Sequence, residues 1–186
     1  MDVKWISNAI IDFVSRKKVD KKIELMLGDK AIDVITNSLQ YDRKTIRVVH
    51  ATRARAEGER PTAGQQLSCF SDLNIHTFLF PVNIGNYHWI TAHLDRRTKC
   101  ATYYDSAGEG LGKGMEYIKT ILDRNSKSFG TGWKHVAARC QQQTDATSCG
   151  LFTIRMIEFL VKSRPSKVLK KLWHATGEQL REKYAR

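Results

Sequence analysis

The sequence predicts an α+β fold, a central mixed sheet with helices on both sides. Residues 77–82, Thr-Phe-Leu-Phe-Pro-Val, form a nearly continuous apolar run of strand length, as expected of a strand buried on both faces. Two further runs with strand composition, 88–94 and 100–105, are separated only by Asp95-Arg96-Arg97-Thr98, a turn composition, and so form a hairpin. Residues 150–162 are apolar almost all round, the mark of a helix packed inside the domain.

Taken in order, residues 3–14 read as a short amphipathic helix, with Ile6, Ile10, Ile11 and Phe13-Val14 at three-to-four spacing and Trp5 at its head. Residues 21–27 and 31–39 are two more helical stretches, and 45–49 has strand character. Residues 53–66 combine charge, Gly and Pro with almost no apolar content and read as a mobile surface loop inside one domain. After the hairpin, Gly108, Gly110, Gly112 and Gly114 make a flexible connection into a helix over 115–123. No Gly-Lys-Ser/Thr follows them, which weakens a phosphate-cradle reading. A short strand over 137–140 feeds a Gln-rich loop, and two helices, 150–162 and 166–184, close the chain around Pro165.

The 186 residues suit a single domain, 1–186, large enough to bury a core without cross-links. Residues 3–14 do not read as a targeting segment, and no apolar run approaches the length of about 20 residues that a membrane span needs. The four cysteines, Cys69, Cys100, Cys140 and Cys149, lie far apart with no Cys-x-x-Cys pair, so neither a metal nor another cofactor is expected. Reduced thiols place the chain in the cytoplasm or nucleus, where a catalytic cysteine can work. Thirty-one basic against 19 acidic residues give a net charge of +12, spread along the chain without an aromatic-interleaved basic motif. Such a field suits an acidic protein partner better than nucleic acid.

The stretch Gln141-Gln142-Gln143-Thr144-Asp145-Ala146-Thr147-Ser148-Cys149-Gly150 delivers one cysteine to the first turn of the inner helix. Helix N-terminal N–H groups favour an anion, and hence the thiolate that attacks carbonyl carbon. Thr147 and Ser148 are suitable N-cap residues, and Gly150 admits a close substrate. The competing reading is a structural cysteine capping a core helix. With the hairpin turn centred between Arg96 and Arg97, His88 faces Asp105 directly across the ladder, which places a carboxylate to hold an imidazole. Singly, each has a plainer reading too, His88 as a structural histidine and Asp105 as a turn residue.

Order, spacing and flanking strands together resemble the ubiquitin-like-protein-specific cysteine proteases, which include the SUMO (sentrin) proteases. The resemblance rests on Leu79-Phe80-Pro81-Val82-Asn83, His88-Trp89, Tyr103-Tyr104-Asp105-Ser106, and Gln142-Gln143 with Cys149-Gly150, and covers residues 76–161. It is fainter at Lys4-Trp5-Ile6-Ser7-Asn8. It implies a papain-like cysteine-protease fold in which Cys149 is the nucleophile opening the central helix, His88 the general base and Asp105 its orienting partner. Gln143 is the oxyanion-hole glutamine, with Gln142 the neighbouring alternative, and Trp89 and Trp5 close over the substrate's terminal Gly-Gly. Gln141, Asp145 and Ser148 depart from the family's pattern without removing a catalytic group.

The implied activity is hydrolysis of the (iso)peptide bond after the Gly-Gly of SUMO or a related modifier, by a monomer whose partners are that modifier and its conjugates. A deubiquitinase or deneddylase of the same family is the nearest alternative. A Cys-His acetyltransferase of related fold and an inactive binder of ubiquitin-like proteins stand further off.

Overall fold

The structure, a computed structural model, describes residues 26–51, 70–162 and 174–185. The helix expected over 3–14 with Trp5, the surface loop 53–66, most of 21–27, and residues 166–173 of the helix expected over 166–184 lie outside the described residues, and the described part of that last helix begins only at Gly177. The described elements are α1 (Asp29–Ser38), β1 (Ile46–Val48), β2 (Thr77–Ile84), β3 (His88–Asp95), β4 (Cys100–Tyr104), α2 (Leu111–Arg124), α3 (Ser126–Phe129), β5 (Lys134–Ala137), α4 (Cys149–Val161) and α5 (Gly177–Tyr184).

The strands make one mixed sheet in the order β1-β2-β3-β4-β5. β2, β3 and β4 are antiparallel neighbours, and β1 and β5 lie parallel at the two edges. Side chains alternate across a strand, and here each face has its own helix. Phe78, Phe80, Val82, Ile84, Ile90, Ala92 and Leu94 pack with Ile118, Ile121 and Leu122 of α2. Leu79 packs with Ile157 and Val161 of α4, and Trp89 with Ile154 and Cys149. Helices on both sides explain why β2 is apolar at consecutive positions, as the sequence suggested.

Three expectations need correction. The β3–β4 pairing sets Asp95 opposite Cys100 and Thr91 opposite Tyr104, so the connecting loop is Arg96 to Lys99 and not a two-residue turn. Lys99 closes it with φ 49°. The cause is Arg96, whose guanidinium lies 5.0 Å from the ring centroids of both Phe78 and Phe129 and donates to the carbonyls of Phe70, Asp72 and Ile75. Held there, Arg96 cannot sit at the tip of a tight turn. A shift of two residues preserves the face, so His88 and Asp105 become diagonal neighbours on one side of the sheet.

Next, β5 occupies Lys134–Ala137 and not 137–140. Its ladder begins with Lys134 N–H donating to Lys99 O and ends with Ala138 N–H donating to Tyr103 O, which leaves Cys140 beyond the strand. The third correction concerns the glycines. α2 starts at Leu111, so Gly112 and Gly114 are helical. Gly114 lies so close to the sheet that a Cβ there would stand 2.2 Å from Ile90 Cδ1.

α5 begins with a capping box between Thr176 and Gln179 and packs against the chain entering α4. A Cβ on Gly177 would lie 1.9 Å from Ser148 Oγ and 2.6 Å from Asp145 Oδ2. Glu158 of α4 accepts hydrogen bonds from Lys162, Lys183 and the Tyr184 hydroxyl, tying the two helices together. Gly177→Ala is therefore expected to lower the free energy of unfolding by about 1–3 kcal/mol through overpacking. Gly112 meets nothing within 4 Å. Its change to alanine should raise stability by up to about 1 kcal/mol through helix propensity. Urea denaturation of the two variants checks both signs.

Candidate active site

The C-terminal end of β4, the start of β3 and the start of α4 converge, and the predicted catalytic side chains lie there. Asp105 follows β4 directly and is 4% exposed. Its Oδ1 accepts from His88 Nε2 at 2.8 Å, from Ala107 N–H at 2.9 Å and from Gly108 N–H at 3.0 Å, while Oδ2 accepts from Gly110 N–H at 2.7 Å. The glycine-rich connection is thus a cradle for the protein's own carboxylate. Only glycine fits at 110, because a Cβ would come within 2.7 Å of His88 Cδ2 and 2.6 Å of Ile84 Cδ1.

Burial alone would favour the uncharged form of each partner. In His88 it is outweighed by hydrogen bonds and charge from Asp105 and Cys149, which raise the imidazole from the usual 6.5 to about 9. In Asp105 it is outweighed by the His88 bond and the backbone donors, which lower the carboxyl from 3.8 to about 2. With Nε2 held by Asp105, the ring nitrogen that remains for Cys149 is Nδ1. His88 is 4% exposed and Cys149 only 1%.

Cys149 is the first helical residue of α4, as the sequence indicated. The cap differs from expectation. Ser148 stands at the N-cap position but makes no side-chain cap bond. Asp145 instead fixes the loop just before the helix, its carboxylate accepting from the backbone N–H groups of Thr147 and Ser148, each at 2.8 Å, and from both hydroxyls. These donors hold the Asp145 carboxyl below the usual range despite partial burial. Arg181 of α5 donates to the Thr147 hydroxyl, and Gln141 donates to Ala175 O, so the C-terminal segment braces the same loop.

The two candidate glutamines are distinguished by their partners. Gln142 donates to the carbonyls of Asp105 and Cys140. Gln143 is fixed at three points: its N–H donates to Ser106 O at 2.8 Å, its Oε1 accepts from Ser106 Oγ at 2.7 Å, and its Nε2 donates to Asp145 O at 2.6 Å. Trp89 is 2% exposed, donates Nε1–H to Leu27 O, and lies against the first turn of α4, where a Cβ on Gly150 would be 3.4 Å from Trp89 Cδ1. Trp5 lies outside the described residues. Among the described residues no cluster of His, Cys, Asp or Glu could hold a metal, and no helix is long and apolar enough to cross a membrane.

The family model described as the Ulp1 protease family, C-terminal catalytic domain, matches residues 5–186. The chain belongs to this family of cysteine peptidases. Solved structures agree in fold. The C-terminal Ulp1 protease domain in complex with Smt3, the yeast orthologue of SUMO, is 14% identical, with a TM-score of 0.67 over 98% of this chain and 92% of that one. The catalytic domain of the Ulp1-like SUMO protease of Chaetomium thermophilum is 18% identical, with a TM-score of 0.53 over 87% and 70%. The effector XopD of Xanthomonas campestris, solved bound to ubiquitin, is 18% identical, with a TM-score of 0.55 over 81% and 79%.

Within this Ulp1-family site, Ser106, Gly110 and Cys140 escaped the sequence reading as supports. Burial pushes the Cys140 thiol up, keeping it protonated, and it donates to Asp105 O at 3.2 Å. Gly110 contributes a backbone N–H, which no side chain announces.

The pH dependence follows from the signs of the two shifts. The raised His88 contributes stability that is complete below its unfolded value of 6.5 and disappears as pH rises through about 9. The lowered Asp105 contributes stability that is present above 3.8 and disappears as pH falls through about 2. NMR titration of the His88 ring should therefore give a midpoint near 9 in the native protein and a clearly lower one in Asp105→Asn.

Proposed function

We propose that this Ulp1-family peptidase hydrolyses the peptide or isopeptide bond that follows the C-terminal Gly-Gly of SUMO, through a thioester on Cys149. The His88–Asp105 pair beside a cysteine at the start of the inner helix carries this reading. Below a pH of about 9 the His88 ring is an imidazolium that already carries the Cys149 proton on Nδ1, and in the first step the sulfur of this pair attacks the carbonyl carbon of the terminal glycine. Negative charge collects on the carbonyl oxygen. Its donors are the Cys149 backbone N–H, which belongs to the first turn and has no acceptor inside the helix, and Gln143 Nε2. The C–N bond then breaks as the imidazolium gives its proton to the leaving amine, a lysine ε-amine in a conjugate. Water, deprotonated by His88, attacks the thioester and releases the modifier with a free carboxylate.

Two features support a Gly-Gly tail. A nucleophile that is 1% exposed is reached by an extended chain without side chains more readily than by a bulky one. Trp89 packs against Gly150, and we assign it, with Trp5, to the walls of the glycine channel. The +12 charge suits an acidic modifier, and the solved relative bound to Smt3 favours SUMO. The relative bound to ubiquitin makes ubiquitin the competitor to test. Membership of a protease family favours hydrolysis over acetyl transfer. We further assign residues 1–186 to one catalytic domain working in a reducing compartment.

The test is mass spectrometry of the protein incubated separately with SUMO and with ubiquitin, each carrying a C-terminal electrophile. A SUMO adduct on Cys149, absent from Cys149→Ala and from the ubiquitin reaction, is the expected result. An adduct with ubiquitin alone would reassign the substrate, and no adduct with either would overturn the protease reading. In steady-state kinetics Gln143→Ala should lower kcat by about 10²- to 10³-fold with little change in KM, the signature of a donor that acts on the transition state.

A further inference from the structure

We infer that Ser106 is a positioning residue for the reaction, setting the amide of Gln143 so that an N–H rather than the carbonyl oxygen faces the developing oxyanion. The inference rests on the proposed role of Gln143. A glutamine amide has two faces related by a half-turn, and only one of them helps catalysis. With Nε2 forward it stabilises the oxyanion; with Oε1 forward it repels it.

Ser106 is 6% exposed, and its hydroxyl donates to Gln143 Oε1 at 2.7 Å. On the other side, Gln143 Nε2 donates to Asp145 O at 2.6 Å. A reversed amide would set Oε1 against the Asp145 carbonyl, acceptor against acceptor, and would take from the buried Ser106 hydroxyl the Oε1 that accepts its proton. One proton of the NH₂ group satisfies Asp145, and the second is left for substrate. Ser106 O also accepts the Gln143 backbone N–H at 2.8 Å, so the same residue fixes both the main chain and the amide.

Ser106 follows Asp105, and the Asp105 carbonyl is itself held by Cys140 and Gln142. Two consecutive residues at the end of β4 therefore orient the two halves of the machinery, Asp105 the imidazole and Ser106 the oxyanion donor. The plainer role for a buried serine is to stabilise the loop. That role would change unfolding but would not depend on Gln143.

The decisive experiment is a double-mutant cycle of Ser106→Ala and Gln143→Ala, assayed on SUMO and on ubiquitin bearing a C-terminal coumarin amide, with thermal unfolding of each variant. Ser106→Ala alone should lower kcat by roughly 10- to 100-fold, less than loss of the donor itself, with KM unchanged. In the Gln143→Ala background it should have no further effect. The basic limb of the pH–rate profile should stay in place, whereas Asp105→Asn moves it down. The inference is overturned if Ser106→Ala retains wild-type kcat, if it slows both backgrounds equally, if it changes KM alone, or if it shifts the basic limb. A wild-type protein that cleaves neither amide and forms no electrophile adduct would instead remove the protease reading, and this inference with it.

Discussion

A carboxylate held out of water must be surrounded by donors, and the arrangement around Asp105 follows from that requirement. Three backbone N–H groups and one imidazole meet it. To supply them the chain must leave β4, fold back within five residues and pass within contact of His88, and only a glycine at 110 permits the last step. The start of α2 is fixed by this turn, and α2 in turn covers the face of the sheet to which His88 belongs. Charge, loop shape and packing are one constraint seen at three scales.

Polar side chains inside the α4 layer work to a similar end. A helix buried nearly all round would slide easily among apolar neighbours, but Arg155 and Glu158 give it fixed points. Arg155 donates to Gln141 Oε1 in the loop that leads to Cys149, and Glu158 gathers Lys162, Lys183 and Tyr184. Asp145 completes the set by holding Thr147 and Ser148. The sulfur is therefore located by ionic and hydrogen-bonded anchors along the helix and its entry, while apolar contacts supply the bulk of the burial.

The parts of the chain legible from sequence are those governed by local pattern. The runs 77–82 and 150–162 announce themselves because long apolar stretches have few alternatives, and His88, Asp105 and Cys149 stand out by chemistry and order, whereas Gln143 is marked only by the family resemblance. The β3–β4 register did not, because it depends on Arg96 finding Phe78 and Phe129, one before it and one well beyond it in the chain. β5 was displaced by three residues for a related reason: Lys-His-Val-Ala is an exposed edge strand with no burial pattern to mark it. Ser148 gives its hydroxyl to Asp145 instead of capping α4, and Gln143 acquires Ser106, through contacts that only the folded loop creates. Gly110 acts through its main chain, which leaves no trace in residue type beyond the absence of a side chain.

His88 and Asp105 come from one side of the sheet, Cys149 from the helix on the other. During synthesis the hairpin that carries His88 and Asp105 leaves the ribosome well before α4 does, and α5, which braces the loop before Cys149, emerges after α4. Until the second layer docks, Cys149 has no His88 beside it. A peptidase assembled in this way is silent while it is being made, because its latency lies in the order of its own layers.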